Sequence, residues 1–497
     1  MKSQRESHLK FILKYLKPQK RLAGMLVLFS MVNIGMQLIN PQISKYFIDE
    51  AAKGNIGSNL TIAALLFLGA AFLAQCFHVL VNYVGQKVAW RATNDIRTDL
   101  LAHCIDLDLS FHKDNKPGEL IERVEGDVSQ LFDLYSGIII SIFNNFVLLL
   151  GILVILFMEN RLIGFSMTMF SILAVYALWS IKSKTEEHWI EERKVNAEFY
   201  GMIGEVLVSA EDISSNGAGK YMMRRFYNML RSMFPTVLKA NLTWSTLWSA
   251  TVILFTSGTI LALSGSLYLW NRGLITLGTV YLIFQYTQTL RRPIEQIRMN
   301  IQQLQSAGAS VVRVRELFRM ESKLEYGGET LAEGPLGIEC SHVEFQYEEG
   351  AAVLKDVSFQ LNKGRVLGIL GRTGSGKTTL ARLLARIYDA TNGEILIGQK
   401  NIASIREDEL TKSIAYVTQD VQIFTATVRD NLTMFQKDID DETILHVIYE
   451  LGFYEWYEGL GNGLDTYLKM GQKSLSAGEA QLMAFVRVLL RKPKLII

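Results

Sequence analysis

Six stretches of this chain contain no Asp, Glu, Lys or Arg: residues 22–44, 55–86, 134–158, 162–181, 240–271 and 273–290. A helix needs about 20 apolar residues to cross the hydrocarbon core of a bilayer, and each stretch reaches or approaches that length. The last is the weakest, being short and carrying Gln285, Tyr286 and Gln288. One such run is compatible with a buried helix of a soluble domain. Six in succession are not, and nothing comparable follows residue 300. With no water to satisfy the backbone inside a bilayer, apolar runs of this length must be helical. The first part of the chain therefore reads as an all-α membrane domain of six transmembrane helices. The overall composition agrees, with 49% hydrophobic and only 20% charged residues.

Charge sets the orientation. Residues 1–21 carry Lys2, Arg5, Lys10, Lys14, Lys17, Lys20 and Arg21 against the single acid Glu6. By the positive-inside rule the N-terminus lies in the cytoplasm of a multi-pass cell-membrane protein. The first apolar run is of spanning length and lacks a cleavage site, so it is not a signal peptide. Counting spans places 87–133 and 182–239 in the cytoplasm and the hop at 271–273 outside. Residues 91–109 and 186–230 contain no proline and are rich in helix formers. They read as extensions of membrane helices into the cytoplasm, with tips at 111–119 and around 206–216.

Net charge is +2, from 51 basic and 49 acidic side chains, which gives no case for nucleic acid. Cys76, Cys104 and Cys340 lie far apart, with neither disulfide nor zinc spacing. Intramembrane Asn33, Gln37, Gln75, His78, Asn144, Asn145 and Gln285 suit either a substrate cavity or helix–helix hydrogen bonding.

After residue 337, short β-branched and aromatic runs alternate with helical ones, as in an α/β fold. Gly327-Gly328 and Gly334-Pro335 mark a linker, giving a membrane domain over 1–318, a linker over 319–336 and an α/β domain over 337–497. Within the last, Gly371, Arg372, Thr373, Gly374, Ser375, Gly376, Lys377, Thr378 and Thr379 follow the apolar run 366–370. This is the P-loop pattern between an expected strand and an expected helix. Its glycines let successive N–H groups turn inward around phosphate oxygens, and the helix opening at Lys377 adds its positive end. Lys377 supplies a charge for the β- and γ-phosphates, and Thr378 a hydroxyl for Mg²⁺. Tyr347, 24 residues before Gly371, is a candidate to stack on adenine. Gln419 closes the apolar run 414–417, within reach of the metal and the attacking water. The stretch IFTATVRDNL at 423–432 follows, then LSAGEAQ at 475–481 ahead of a helical run.

These motifs behind six spans resemble the ATP-binding cassette exporters that fuse one membrane domain to one cassette. FHKDNKPGELIERVEGDV at 111–128 is similar to the family's first cytoplasmic loop, and Gly278 and Pro293 stand where family members carry them. The resemblance covers nearly the whole chain. It implies a P-loop NTPase domain that binds ATP and Mg²⁺, and a dimer with a second half-transporter, the two cassettes pairing head to tail. Ser476, Gly478 and Glu479 would then cover the ATP held on the partner's P-loop, while the loop tips pass cassette closure to the spans. The implied cargo is an amphipathic small molecule, lipid or peptide, met within membrane lipid; Phe77, Tyr83, Phe146, Trp244 and Trp248 suit such a cavity. An ATP-gated channel or regulator on the same scaffold would be expected to carry an altered P-loop or an added domain.

Three departures from the family pattern stand out. Ala477 and Glu479 replace glycine and glutamine of the commonest signature, and 466–473 lacks the acid usual before it. Both fit a heterodimer with unequal sites, with a homodimer equally open. The third is that residues 494–497 would lead into an Asp–Glu pair that is not in this sequence, nor is the later switch histidine. The expectation is a cassette incomplete at its C-terminus, whose 497 residues alone bind ATP weakly and do not turn it over.

Overall fold

The computed structural model describes residues 10–55, 57–347, 351–469 and 475–497. Lys2, Arg5 and Glu6 of the orientation argument, and 470–473 of the segment before LSAGE, lie outside them. The chain divides into two compact units. One comprises residues 1–102 and 120–319; the other joins 103–119 to 320–497.

The described residues of the first unit are helical apart from short connections. Its long helices are Lys20–Ala52, Ser58–Asp106 (which ends within the other unit), Ile139–Glu159, Arg161–Val208, Gly219–Asn271 and Leu277–Leu317. The cytoplasmic segments are indeed continuations of membrane helices, and the turn between the fourth and fifth holds only the short helix Ala210–Ser215. Five helices among the described residues are long and apolar enough to cross a membrane. Leu277–Leu317 is not among them. Several of its apolar residues face protein: Leu282, Ile283, Tyr286 and Leu290 are fully buried in the central cluster, together with Ile34, Ile152, Ile163 and Met167. A helix lined by other helices needs no apolar outer face, which is why its composition is the least membrane-like of the six.

Ser58–Asp106 shows the opposite pattern. Leu65, Leu66, Phe67, Leu68 and Phe72 are all exposed, and four consecutive residues cover every side of a helix. Such an all-round apolar surface requires lipid or another chain. Of the polar residues within the spans, Gln75 and His78 are exposed on this helix, whereas Asn33 is buried. Asn145 donates to the Ser141 carbonyl at 2.8 Å, and Asn300 reaches the Ser141 hydroxyl from another helix at 2.8 Å. Tyr83, Phe146, Trp244 and Trp248 are exposed in the single chain.

The end of the bundle assigned to the outside is tied by three contacts. Lys45 pairs with Glu159 at 2.6 Å. The Asp49 carboxylate accepts from the Gly278 N–H and the Thr276 hydroxyl, both at 2.8 Å, so it caps the sixth helix from the first. That approach depends on the absence of a side chain at 278. A Cβ there would lie 2.3 Å from the Lys45 carbonyl oxygen and 2.6 Å from the Asp49 carboxylate. Gly278→Ala is therefore expected to wedge the two helices apart and destabilise the unit by about 1–3 kcal/mol, as overpacking does. Thermal unfolding in detergent measures this, and an unchanged midpoint would refute the close contact.

The second unit is α/β, with three small sheets among the described residues. β1 (Ile338–Phe345) lies between β2 (Leu354–Leu361) and β3 (Asn392–Ile397), with β4 (Lys400–Asn401) beside β3, all antiparallel. β5 (Ile414–Ala415) and β8 (Leu495–Ile496) form a parallel pair, extended by the Val417 N–H donating to the Ile497 carbonyl at 2.9 Å. β6 (Ala426–Thr427) pairs with β7 (Tyr467–Leu468). The inward residues of β1 and β3, Ile338, Cys340, Val343, Ile395 and Ile397, pack on Leu380, Leu383 and Leu384 of the helix Lys377–Leu384.

One expectation fails here. Residues 366–370 are not a strand, and Val366 and Leu370 are 98% and 97% exposed. No strand pairs with them among the described residues, and an apolar run without ladder partners on either edge has nothing to hold it extended.

A second core in this unit is mostly helical. Val428, Leu432, Ile444, Ile448, Met483 and Val486 join the helix Ala477–Leu490 to Val428–Thr433 and Asp441–Glu450. Arg386 fixes the linker within the same unit: its side chain is almost wholly buried, donates to the Glu325 carbonyl at 2.5 Å and to Asp389 at 3.1 Å, and lies 4.3 Å from the Tyr326 ring.

Candidate nucleotide-binding site

The loop at 371–379 takes the shape its glycines permit. Gly374 and Gly376 have φ of +83° and +86°, in the left-handed region, and Gly376 is the N-cap of the helix Lys377–Leu384. A side chain at 376 would be strained twice over, because its Cβ would also meet Leu354 Cδ2 at 2.7 Å. Gly376→Ala is expected to weaken triphosphate binding about tenfold or more, since a non-glycine residue costs about 1–2 kcal/mol in this conformation before the clash is counted. Calorimetric titration with ATP would show it, and wild-type affinity in the variant would rule out this loop geometry.

Lys377 folds back over the loop. Its ammonium donates to the carbonyls of Gly371 and Arg372, each at 2.8 Å, and reaches the Ser375 hydroxyl at 3.5 Å. Ser375 N–H in turn donates to the Arg372 carbonyl at 3.1 Å. Lys377 and Thr378 line an open cleft of about 810 Å³ together with Arg382, Thr418, Gln419 and Gln481. The lysine, the hydroxyl and the carboxamide singled out in the sequence thus share one cavity, although they are spread over more than forty positions. Thr378 and Gln419 present neutral oxygens, the hard donors that suit Mg²⁺. Among the described residues no group of three or more His, Cys, Asp or Glu could hold a metal, so the ion would lean on these oxygens and on phosphate.

Tyr347 does not line that cleft. Its hydroxyl lies 3.3 Å from the Thr379 hydroxyl, and its ring meets Phe345 and Tyr388 nearly at right angles. The Lys113 ammonium sits 3.6 Å from its ring centroid. Lys113 belongs to the short helix Leu109–Asp114, capped by Asp108, whose carboxylate accepts from the N–H groups of Ser110 at 2.9 Å, Phe111 at 3.2 Å and Lys323 at 2.6 Å. Burial would push the Asp108 carboxyl up, but these hydrogen bonds and one from the Ser110 hydroxyl prevail and hold it below the usual range.

Ser476, Gly478 and Glu479 also stand outside the cleft, at the start of the helix Ala477–Leu490. They form a capping box: Ser476 Oγ accepts from the Glu479 N–H at 3.2 Å, and the Glu479 carboxylate accepts from the Ser476 N–H at 2.6 Å. Hydrogen bonds from the Ser476 backbone and side chain lower the Glu479 pKa.

The sequence reading missed several participants. Gln481 and Arg382 face the cleft. Arg487 donates to the carbonyls of Asn431 at 2.7 Å and Gln422 at 2.9 Å, joining the LSAGE helix to the segment after Gln419. Asn431, fully buried, in turn donates to the Phe424 carbonyl at 2.9 Å. Only the adjacency of IFTATVRDNL to Gln419 hinted at this bracket, since its other half lies on a helix far along the chain.

A P-loop domain joined to a bundle of membrane-crossing helices defines an ATP-binding membrane protein. Residues 23–294 match the ABC transporter transmembrane region and residues 354–497 match the ABC transporter family. The chain belongs to the ABC transporters. It is 26% identical to a putative ABC transporter ATP-binding protein of Streptococcus pneumoniae, over 98% of this chain and 84% of the relative. It is 24% identical to a multidrug resistance ABC transporter ATP-binding and permease protein of Lactococcus lactis subsp. lactis, over 95% of this chain and 79% of the relative. In fold it is similar to a bacterial Atm1-family ABC exporter with ATP bound, with a TM-score of 0.78, 21% identity and coverage of 96% and 85% of the two chains. The protein is thus an ATP-binding and permease subunit of the ATP-hydrolysing exporter type, multi-pass in the cell membrane with its cassette cytoplasmic.

Proposed function

We propose that this chain, with a second half-transporter, exports an amphipathic small molecule, lipid or peptide by closing two cassettes around MgATP. The domain division is 1–318 for the membrane part, 319–336 for the linker and 337–497 for the cassette. Gly371 to Thr379 cradle the phosphates, Lys377 neutralises the β- and γ-oxygens, and Thr378 with Gln419 holds Mg²⁺, which screens the charge that develops during phosphoryl transfer. Gln419 also orients the attacking water, and Tyr347 takes the adenine. Ser476, Gly478 and Glu479 serve the nucleotide of the other subunit. The observation that carries this reading is the convergence of Lys377, Thr378 and Gln419 on one cleft from which the LSAGE helix start is absent. A helix N-terminus that meets no phosphate of its own is available to one presented by a partner. The exposed aromatics Tyr83, Phe146, Trp244 and Trp248 support a cargo cavity completed by the second subunit.

The test is reconstitution into lipid vesicles, with a fluorescent amphipathic dye, of the chain joined to a segment carrying the Asp–Glu pair and paired with its second half-transporter. ATP-dependent dye movement, lost on omission of Mg²⁺, is the expected result. Nucleotide binding without movement of dye, lipid or peptide would overturn export in favour of a nucleotide-gated regulator. Co-purification of two differently tagged copies separates a homodimer from a heterodimer.

A further inference from the structure

We infer that Lys113 competes with the adenine base for the face of Tyr347, making base binding conditional on displacement of its ammonium from the ring. The inference rests on the reading of Tyr347 as the adenine platform. It comes from the surroundings of that ring within the cassette-bearing unit, which includes residues 103–119.

The Lys113 ammonium lies 3.6 Å from the Tyr347 ring centroid, close enough to sit directly on the π-face. The ring's aromatic neighbours stand at 86° and 89° to it, so neither Phe345 nor Tyr388 lies flat against it. Its hydroxyl is anchored to Thr379, two residues beyond Lys377. A tyrosine held by its hydroxyl and flanked by perpendicular rings keeps a fixed plane, and the flat contact a purine needs is the one the ammonium takes. A cation and a stacked base cannot share that contact. Lys113, Asp114, Tyr347, Tyr388 and Asp389 line one cavity of about 500 Å³, so a displaced ammonium has two carboxylates beside it to move toward. Asp108 caps the helix and binds the Lys323 N–H at 2.6 Å, so the lysine side chain swings from a fixed backbone.

The experiment compares ATP with inorganic tripolyphosphate, which carries the same kind of charge and no base, on the purified protein. Lys113→Ala is expected to raise the preference for ATP over tripolyphosphate about three- to thirtyfold, the range that one cation–π contact supplies. Lys113→Arg, which keeps a cation able to lie on the ring, should leave the preference as in the wild type, and Tyr347→Ala should erase the effect of Lys113→Ala. If Lys113→Ala shifts both ligands equally, the lysine acts through its charge on phosphate and the inference fails. An unchanged preference refutes it equally. Should Lys377→Ala leave ATP affinity unaltered, the nucleotide site itself would be wrong, an outcome distinct from either.

Discussion

Lys377→Ala should abolish measurable triphosphate binding, with a loss of about a hundredfold or more in affinity. In the structure this ammonium spends its hydrogen bonds on the carbonyls of Gly371 and Arg372. These contacts fold the lysine back over the loop at the edge of the cleft that it lines. When a triphosphate enters, the ammonium exchanges two neutral acceptors for anionic ones. A hydrogen bond to a charged group contributes about 1.5–3 kcal/mol, so two of them amount to about a hundredfold or more. Alanine removes both the charge and the brace across the loop. Titration with a fluorescent ATP analogue would measure the loss. Because the helix Lys377–Leu384 keeps its packing through Leu380, Leu383 and Leu384, thermal stability should change far less than affinity. Retained affinity would disprove the assignment of the cleft.

The second large effect is expected in the membrane unit. Arg313, on the helix Leu277–Leu317, donates to both oxygens of Asp127 from Nε, at 2.9 and 3.1 Å, and again from Nη2. The Asp127 side chain is only 4% exposed, whereas that of Arg313 is 48% exposed. The asymmetry decides which loss is worse. Arg313→Ala leaves a buried carboxylate without its cation, whereas Asp127→Asn leaves an arginine that water can reach. Arg313→Ala is expected to cost about 3 kcal/mol, the low end of what breaking a buried pair costs, because solvent reaches one partner. Adding Asp127→Asn to Arg313→Ala should recover part of the stability by removing the stranded charge. Unfolding midpoints in detergent for the two single variants and the double variant test this order. A double variant less stable than Arg313→Ala would contradict it.

Much of this was legible in the sequence, for identifiable reasons. The charge-free stretches forecast the helices because the bilayer leaves the backbone a single way to satisfy itself. The sixth was weakest for a reason that also has a structural answer: Gln285 and Gln288 sit on a helix whose apolar side is spent on protein, not lipid. Gly374 and Gly376 revealed the loop because glycine alone adopts their φ freely. The capping box was half visible as Ser476 followed three positions later by Glu479. What escaped were contacts between distant segments. Lys113 on the Tyr347 ring and Arg487 on the Asn431 carbonyl depend on chain paths that no local pattern encodes. Residues 366–370 mislead in the other direction. Their apolar character marks a strand, yet a strand exists only where neighbours supply its ladder.

The length of the helices has a mechanical consequence. Gly219–Asn271 contains 53 residues and so measures about 80 Å at 1.5 Å per residue. Its charge-free part, residues 240–271, takes up about 48 Å of that, leaving residues 219–239, about 32 Å, projecting as a continuous helix that carries Pro235. Pivoted within the lipid, such a rod acts as a long lever. A swing of about 5° at the fulcrum carries the far tip through about 3 Å, about half of a helical turn. Leverage of this kind lets small rearrangements among packed side chains and large displacements in the cytoplasm be the same movement, seen at opposite ends of one beam.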